Sequence, residues 1–215
     1  MKFFSKSRLR KMLFLGTVED LTNEERRKLW PKVPALKERH LKNCRLFPNR
    51  VELLSQIPSG GVCAEVGVFK CDYTKKILDL NKPKKLHLFD FWDESKRLAE
   101  EYFPNQLASG EVEFHFGDSS TEIKKLPNQY FDWVYIDAAH EYEGVRKDLW
   151  AIKDKMKDGG IIAFNDYIFF GTSDYLKYGV VEVVHEFCLE FDFEIIYMSL
   201  NGRSYNDVAI RKIGV

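Results

Sequence analysis

The chain has 215 residues, of which 45% are hydrophobic and 14% aromatic, so it can hold one α/β domain with an additional segment. No apolar stretch approaches the roughly 20 residues of a membrane-spanning helix, and the short apolar run 12–15 is not followed by a signal-peptide cleavage site. The four cysteines have no Cys-x-x-Cys spacing and indicate reduced thiols, with neither zinc nor disulfides. We therefore expect a cytoplasmic protein that has no membrane partner.

The formal net charge is zero, but the charge is unevenly distributed along the chain. Residues 1–50 contain 14 Lys and Arg against 5 Asp and Glu, which leaves +9 in this segment and −9 over residues 51–215. A basic arm can bind nucleic acid, a phosphorylated substrate or an acidic partner, whereas a solvated helical face is the simpler interpretation. Because no aromatic-basic nucleic-acid motif accompanies the charge, we favour the solvated face and expect no nucleic-acid partner.

Residues 1–50 are predicted to form a helical cap. Residues 22–25 have the spacing of a capping box, and further helix is predicted at 37–42 and 50–56. The segment has too little apolar content for a core of its own, so we expect it to pack on a second unit formed by residues 51–215.

From Gly60 onward, predicted strands and helices alternate, as in a parallel sheet covered by helices on both faces. The predicted strands are 62–66, 85–90, 112–116, 131–136, 160–164, 193–199 and 206–211. The predicted helices are 72–80, 94–102, 120–125, 141–156 and 178–190. Residues 201–204 form a hairpin-like link, so we predict a Rossmann-like, doubly wound, mostly parallel seven-stranded sheet whose final strand is antiparallel.

The most informative segment is 62–69, where an apolar strand runs into Glu65 and then Gly67 at the expected start of a helix. In such sheets a ligand binds at this turn, because the backbone can approach it only where a side chain is missing. A pyrophosphate-binding turn would read Gly-x-Gly-x-x-Gly, and the second and third glycines are absent. The sequence therefore predicts a nucleotide-like cofactor without a pyrophosphate.

Acidic and amide side chains end the predicted strands, at the edge where these sheets bind ligands. They are Glu65, Asp90, Asp118, Asp137 and the pair Asn165-Asp166. Such a row would repel itself unless a cation or hydrogen-bond donors lie among its members. Asp90 follows Gly67 by 23 residues, near the spacing of a ribose-binding carboxylate, although a turn-forming Asp is the alternative. Asp118 or Ser119 can also cap the next helix.

The motifs EVGVFKCDYT, LFDFW, GDSS, YIDAAHEYEGVRKDL and DGGIIAFNDY follow, in order and spacing, those of class I S-adenosylmethionine-dependent methyltransferases over about residues 50–215. Within this group the chain resembles the metal-dependent sugar O-methyltransferases related to the macrocin enzyme. The resemblance implies that Glu65, Val66 and Gly67 contact the methionine part of the cofactor. It also implies that Asp90 contacts the ribose and that Asp118 with Ser119 contacts the adenine edge.

The same resemblance implies a metal site at Asp137, Asn165 and Asp166, with His140 as the general base beside Asp137. The family usually has an acidic residue where Asn165 stands, so one negative charge is missing. The residues alone also support this site, because the two strand ends should lie roughly 4.8 Å apart and oxygen ligands suit Mg²⁺. The alternative for His140 is an ordinary helix-entry histidine that makes a backbone hydrogen bond.

The sequence thus predicts an O-methyltransferase that acts, with Mg²⁺ assistance, on a hydroxyl of a small molecule such as a sugar or glycoside. One alternative is a non-catalytic S-adenosylmethionine-binding protein with a regulatory or assembly role. A nicotinamide-dependent oxidoreductase is the other, and the missing glycines argue against it. A homo-oligomer is compatible with the sequence, which does not determine the acceptor, the oligomeric state or the role of the basic segment.

Overall fold

The computed structural model describes residues 31–171, 176–202 and 204–214. Its strands are β1 (Arg45–Phe47), β2 (Val62–Val66), β3 (Lys85–Asp90), β4 (Val112–Phe116), β5 (Phe131–Ile136), β6 (Met156–Phe164), β7 (Phe193–Ser199) and β8 (Val208–Lys212). Its helices are a 3₁₀ turn (Glu38–His40), α1 (Arg50–Leu54), α2 (Asp72–Asn81), α3 (Asp93–Tyr102), α4 (Pro104–Ser109), α5 (Ser119–Lys124), α6 (Tyr142–Lys153) and α7 (Val180–Phe191). The capping box predicted at 22–25 lies outside the described residues.

All eight strands form one sheet in the order β1-β7-β8-β6-β5-β2-β3-β4. Strands β2 to β6 pair in parallel, while β8 runs antiparallel between β6 and β7. This confirms the predicted Rossmann-like sheet and its antiparallel final strand. The strand order reverses between β2 and β5, which places a crevice for ligands at their carboxyl ends.

Strand β1 and helix α4 were not predicted. Strand β1 comes from the segment expected to be helical, and it adds an eighth strand by pairing in parallel with β7, from Arg45 opposite Tyr197 to Phe47 opposite Ser199. Three residues are too few to show the alternation of a strand, so this pairing depends on the fold around it. Helix α4 begins with Pro104 and is followed by Gly110, a residue with φ +77°. Proline at the first position and glycine after the last are common helix boundaries.

The core lies on both faces of the sheet, and β5 shows how the sequence builds it. Trp133 and Tyr135 are fully buried on the face covered by α1, α2 and α3, and Val134 and Ile136 are buried on the face covered by α5, α6 and α7. A strand with both faces covered reads as a continuous apolar run, as 131–136 does. Within the described residues, no helix combines the length and apolar character needed to cross a lipid bilayer.

Candidate functional site: a cleft at the carboxyl edge of the sheet

A cleft of about 710 Å³ lies where β2, β3, β4 and β5 end, a volume typical of small-molecule sites. It is lined by most of the residues predicted from the sequence, namely Glu65, Gly67, Asp90, Asp118, Ser119, Asp137 and His140. The side chain of Val66 is fully buried instead, and its carbonyl accepts a 2.7 Å hydrogen bond from the Asp137 N–H. A cavity of about 470 Å³ near the start of β6 contains none of the predicted residues.

Gly67 is required by the packing of two strand ends. Its φ is +88°, and a Cβ atom at this position would lie 2.2 Å from the carbonyl oxygen of Asp137. The Gly67 N–H also donates to the Phe89 carbonyl at 2.9 Å. The sequence explained this glycine by close approach to a ligand, whereas the structure shows close approach to the end of β5. The turn is therefore fixed between both neighbouring strands.

Glu65 lies at the base of the cleft and is only 1% exposed. Its carboxyl accepts a 2.5 Å hydrogen bond from the Thr74 hydroxyl. Burial raises the pKa of Glu65 to about 8, and the negative charge of Asp137 raises it further. The hydrogen bond from Thr74 and the positive charge of Arg50 act in the opposite direction and lower the pKa. A cation placed beside this carboxyl would favour its ionised form.

Asp90 holds two loops of the cleft together. Its Oδ2 accepts 2.9 Å hydrogen bonds from the N–H groups of Val68 and Phe69 and a 3.0 Å bond from the Ser95 hydroxyl. Its Oδ1 accepts one 2.9 Å bond from the Trp92 N–H. Because Oδ1 accepts only this one bond from the described residues while Oδ2 accepts three, Oδ1 can accept a further hydrogen bond, such as that of a ribose hydroxyl. The turn-forming and ligand-binding roles weighed for Asp90 are thus compatible.

Asp118 is the N-cap of α5, the alternative that the sequence left open. Its Oδ1 accepts a 2.9 Å bond from the Thr121 N–H, and its Oδ2 lies 2.7 Å from Lys147 Nζ. The hydrogen bond from Lys147 holds the pKa of Asp118 well below its usual range. Ser119 donates a 2.5 Å bond to Asp148, a buried acid that sequence reasoning missed. Burial raises the pKa of Asp148 to about 6.

Two of the predicted metal-binding residues converge with His140. One ligand atom from each of Asp137, His140 and Asp166 lies within 4.8 Å of the others, and His140 Nε2 is 3.1 Å from Asp166 Oδ2. Asn165 instead donates its amide N–H to Asp137 Oδ1 at 2.9 Å. Burial raises the pKa of Asp137 to about 6, although the Asn165 bond and Arg50 lower it. Two carboxylates and an imidazole are a donor set that fits a divalent cation.

Arg50 contributes the cation that the acidic strand ends require, and sequence reasoning missed it. It begins α1, where Asn49 caps the helix by accepting 3.0 Å bonds from two N–H groups. Its guanidinium lies 4.7 Å from the centre of the Tyr73 ring and 3.8 Å from Asp137 Oδ2. Residue 50 belongs to the segment predicted as a cap, so this part of the chain reaches the cleft. No local pattern around Arg50 indicates that position.

A second cluster lies outside the cleft, on β3 and β4. His87 Nδ1 is 2.8 Å from His115 Nε2, and His87 Nε2 is 3.0 Å from the Tyr130 hydroxyl. Burial lowers the pKa of His87 to about 4, and Glu113 is paired with Lys85 at 2.5 Å. Ligand atoms of His87, Glu113 and His115 lie within 4.8 Å of one another, but contacts with Tyr130 and Lys85 already involve His87 and Glu113.

Comparisons with known proteins agree with this architecture. Residues 65–167 match the family described as a methyltransferase domain. Among solved structures, a proposed rRNA methylase from Clostridium thermocellum has 16% sequence identity and a TM-score of 0.59, covering 77% of this chain and 94% of its own. A proposed methyltransferase from Streptococcus mutans, solved in complex with SAH, has 18% identity and a TM-score of 0.55, covering 76% of this chain and 96% of its own.

The cyclase SpnF also has this fold, with 14% identity and a TM-score of 0.58, covering 76% of this chain and 79% of its own. Among curated proteins, none matches this sequence. At such low identity the structural likenesses support the fold alone. The matched segment contains the acidic residues that line the cleft from Glu65 to Asp148, and also Asp166, which contacts His140 but does not itself line the cleft. Over residues 65–167, the parallel sheet and its switch point are similar to those of methyltransferase domains of class I, the S-adenosylmethionine-dependent group.

Proposed function

We propose that the protein transfers a methyl group from S-adenosylmethionine to a hydroxyl of a small molecule, such as a sugar or glycoside. The supporting observation is that His140, whose Nε2 lies 3.1 Å from Asp166 Oδ2, lines the same cleft as Glu65, Gly67 and Asp90. A donor bound at the ends of β2 and β3 would therefore share the cleft with an imidazole that follows β5. A base held near the methyl donor would promote methyl transfer to a hydroxyl.

The residues of the cleft fit the cofactor. Three aromatic side chains at its rim are unusually exposed, with Phe69 at 54%, Phe91 at 66% and Trp92 at 47%. A planar purine would cover this apolar surface. The remaining acceptor position of Asp90 suits a ribose hydroxyl. Asp118 and Ser119 line the same cleft and would contact the adenine edge.

His140 is the proposed general base, and Asp166 is its positioning partner. The Asp166 carboxylate, 3.1 Å from Nε2, would fix the orientation of the ring and stabilise the imidazolium formed when the ring takes the hydroxyl proton. The ring centre also lies 4.6 Å from that of Tyr178, which restricts the ring further. General-base catalysis of this kind contributes roughly 10²- to 10⁴-fold to the rate.

Asp137, His140 and Asp166 would hold a divalent ion such as Mg²⁺, and Asn165 would supply a fourth ligand if its amide oxygen faced the ion. Bound there, the ion would lower the pKa of the acceptor hydroxyl. A nitrogen of His140 that binds a metal cannot also accept a proton at that atom. The metal-assisted and metal-free forms of the proposal are therefore separable by experiment.

The test measures S-adenosylhomocysteine formed from S-adenosylmethionine with a panel of sugars, glycosides and phenols. We expect His140→Ala to lower turnover about 100-fold and to bind S-adenosylhomocysteine as the wild type does. The control is Glu143→Gln, at an exposed position on α6, which should change neither turnover nor binding. Full activity of His140→Ala would refute the base assignment. If the metal takes part, chelator suppresses turnover and Mg²⁺ restores it; activity unchanged by chelator would refute the metal role.

A second candidate is a protein that binds the cofactor without transferring its methyl group. The fold of the cyclase SpnF, which this chain shares, shows that the architecture also serves other chemistry. Calorimetry would then detect S-adenosylmethionine binding, but no acceptor in the panel would yield S-adenosylhomocysteine.

A further inference from the structure

Arg50 carries a charge that the hydroxyl chemistry of the proposed function does not use. Among the described residues, it is the cation whose charge acts on both Glu65 and Asp137. It also lies outside residues 65–167, so the family match assigns it no role. A positive charge at the base of a binding cleft points to an anionic group on the ligand.

The geometry leaves this guanidinium able to bind such a group. Its side chain is 37% exposed and lines the cleft, and packing over the Tyr73 ring holds it in place. Its distance to Asp137 Oδ2, 3.8 Å, is too long for a direct hydrogen bond. Arginine has five N–H donors, so several remain for a ligand.

We propose that Arg50 binds the α-carboxylate of the cofactor's amino-acid part, with Glu65 facing the α-ammonium. The amino-acid end of S-adenosylmethionine carries one negative and one positive group. Glu65 and Arg50 both line the cleft with Gly67, so an acid and a guanidinium are available for these two groups. A guanidinium can bind a carboxylate through two parallel hydrogen bonds, which fixes the orientation of the ligand. The proposal rests on the cofactor assignment and is independent of the acceptor.

Calorimetry with three ligands tests the proposal without any acceptor. The ligands are S-adenosylhomocysteine, its decarboxylated analogue and 5′-methylthioadenosine, which lacks the whole amino-acid part. We expect Arg50→Ala to weaken S-adenosylhomocysteine binding roughly 10- to 100-fold and to leave the affinity for the two ligands without a carboxylate within about 2-fold. Arg50→Lys should recover part of the loss, because it keeps the charge but not the paired donors.

Two further variants keep the result interpretable. Arg50→Met retains most of the packing over Tyr73 and serves as a second neutral variant should Arg50→Ala fail to fold in a thermal unfolding measurement. Arg45→Ala is the matched control, because Arg45 is an exposed residue of β1 that packs 5.2 Å from the Phe47 ring. It should bind all three ligands as the wild type does.

Equal weakening of all three ligands by the Arg50 variants would show a structural role and overturn the proposal, as would unchanged binding of S-adenosylhomocysteine. A protein that shows the predicted ligand pattern but methylates no acceptor would refute the proposed O-methyl transfer and leave this assignment in place. Failure of the two proposals is therefore distinguishable.

Discussion

The buried carboxyl of Glu65 makes the stability of the cofactor-free protein depend on pH in a predictable direction. Its pKa is about 8 in the folded chain against an ordinary value of 4.5. The folded state therefore holds a proton that the unfolded state releases above pH 4.5, so folding stability falls as the pH rises from there to about 8. At ~1.4 kcal/mol for each pH unit, the cost is at most ~5 kcal/mol.

Glu65→Gln removes this titration but keeps an oxygen that can accept the Thr74 hydrogen bond. We expect the variant to match the wild type near pH 5 and to be more stable by several kcal/mol, at most ~5, at pH 9. Urea unfolding at successive pH values between 5 and 9 measures the difference directly. The variant should also bind S-adenosylmethionine more weakly, since a neutral amide cannot pair with the ammonium group.

Glu52→Gln is the matched control, because Glu52 is an exposed acid on α1. Its stability profile should run parallel to that of the wild type. Other buried acids with raised pKa values, such as Asp207, titrate in all three proteins and cancel in the comparison. If the profiles of Glu65→Gln and the wild type ran parallel as well, the account of Glu65 as an acid protonated by burial would be refuted.

Two further substitutions test the architecture of the cleft, again by urea unfolding. Gly67→Ala should lower the free energy of unfolding by about 3–5 kcal/mol, because its Cβ would lie 2.2 Å from the Asp137 carbonyl oxygen. The control is Gly110→Ala, where φ is +77° and no atom lies within 4 Å of the added Cβ, and it should lower this free energy by only about 1–2 kcal/mol. If Gly67→Ala and Gly110→Ala lost similar amounts of stability, the close approach of Gly67 to the end of β5 would be contradicted. Asp90→Ala should cost about 3 kcal/mol or more, because it leaves several donors, including the Ser95 hydroxyl, without their acceptor. A loss below about 1 kcal/mol would show that Asp90 does not hold the two loops.

The alternation of strand and helix after Gly60 was sufficient to predict the succession of strands and helices along the chain, apart from helix α4, because most elements are long enough to show their period. The edge position of the acidic residues followed from the same pattern. Strand β1 could not be predicted, since only its pairing with β7 makes those three residues a strand. The bounds of most predicted elements differ from those of the structure by a few residues, which is usual where helix and strand ends fray.

The hydrogen-bond partners within the cleft could not be predicted from the sequence. Spacing placed Asp90 at the correct edge, but it could not show that four protein donors already occupy its carboxylate. Arg50 had no signal because its importance comes from folding beside residues that are distant in sequence, such as Asp137. The orientation of Asn165 toward Asp137 depends on packing in the same way.

The central claim is that the acidic edge of the sheet binds S-adenosylmethionine through its own side chains. A crystal structure of the protein grown with S-adenosylhomocysteine tests this most directly. The account predicts the amino-acid end beside Glu65 and Gly67, a ribose hydroxyl on Oδ1 of Asp90, and the adenine edge near Asp118. A cleft that stayed empty at saturating ligand, or a ligand bound elsewhere on the protein, would contradict it.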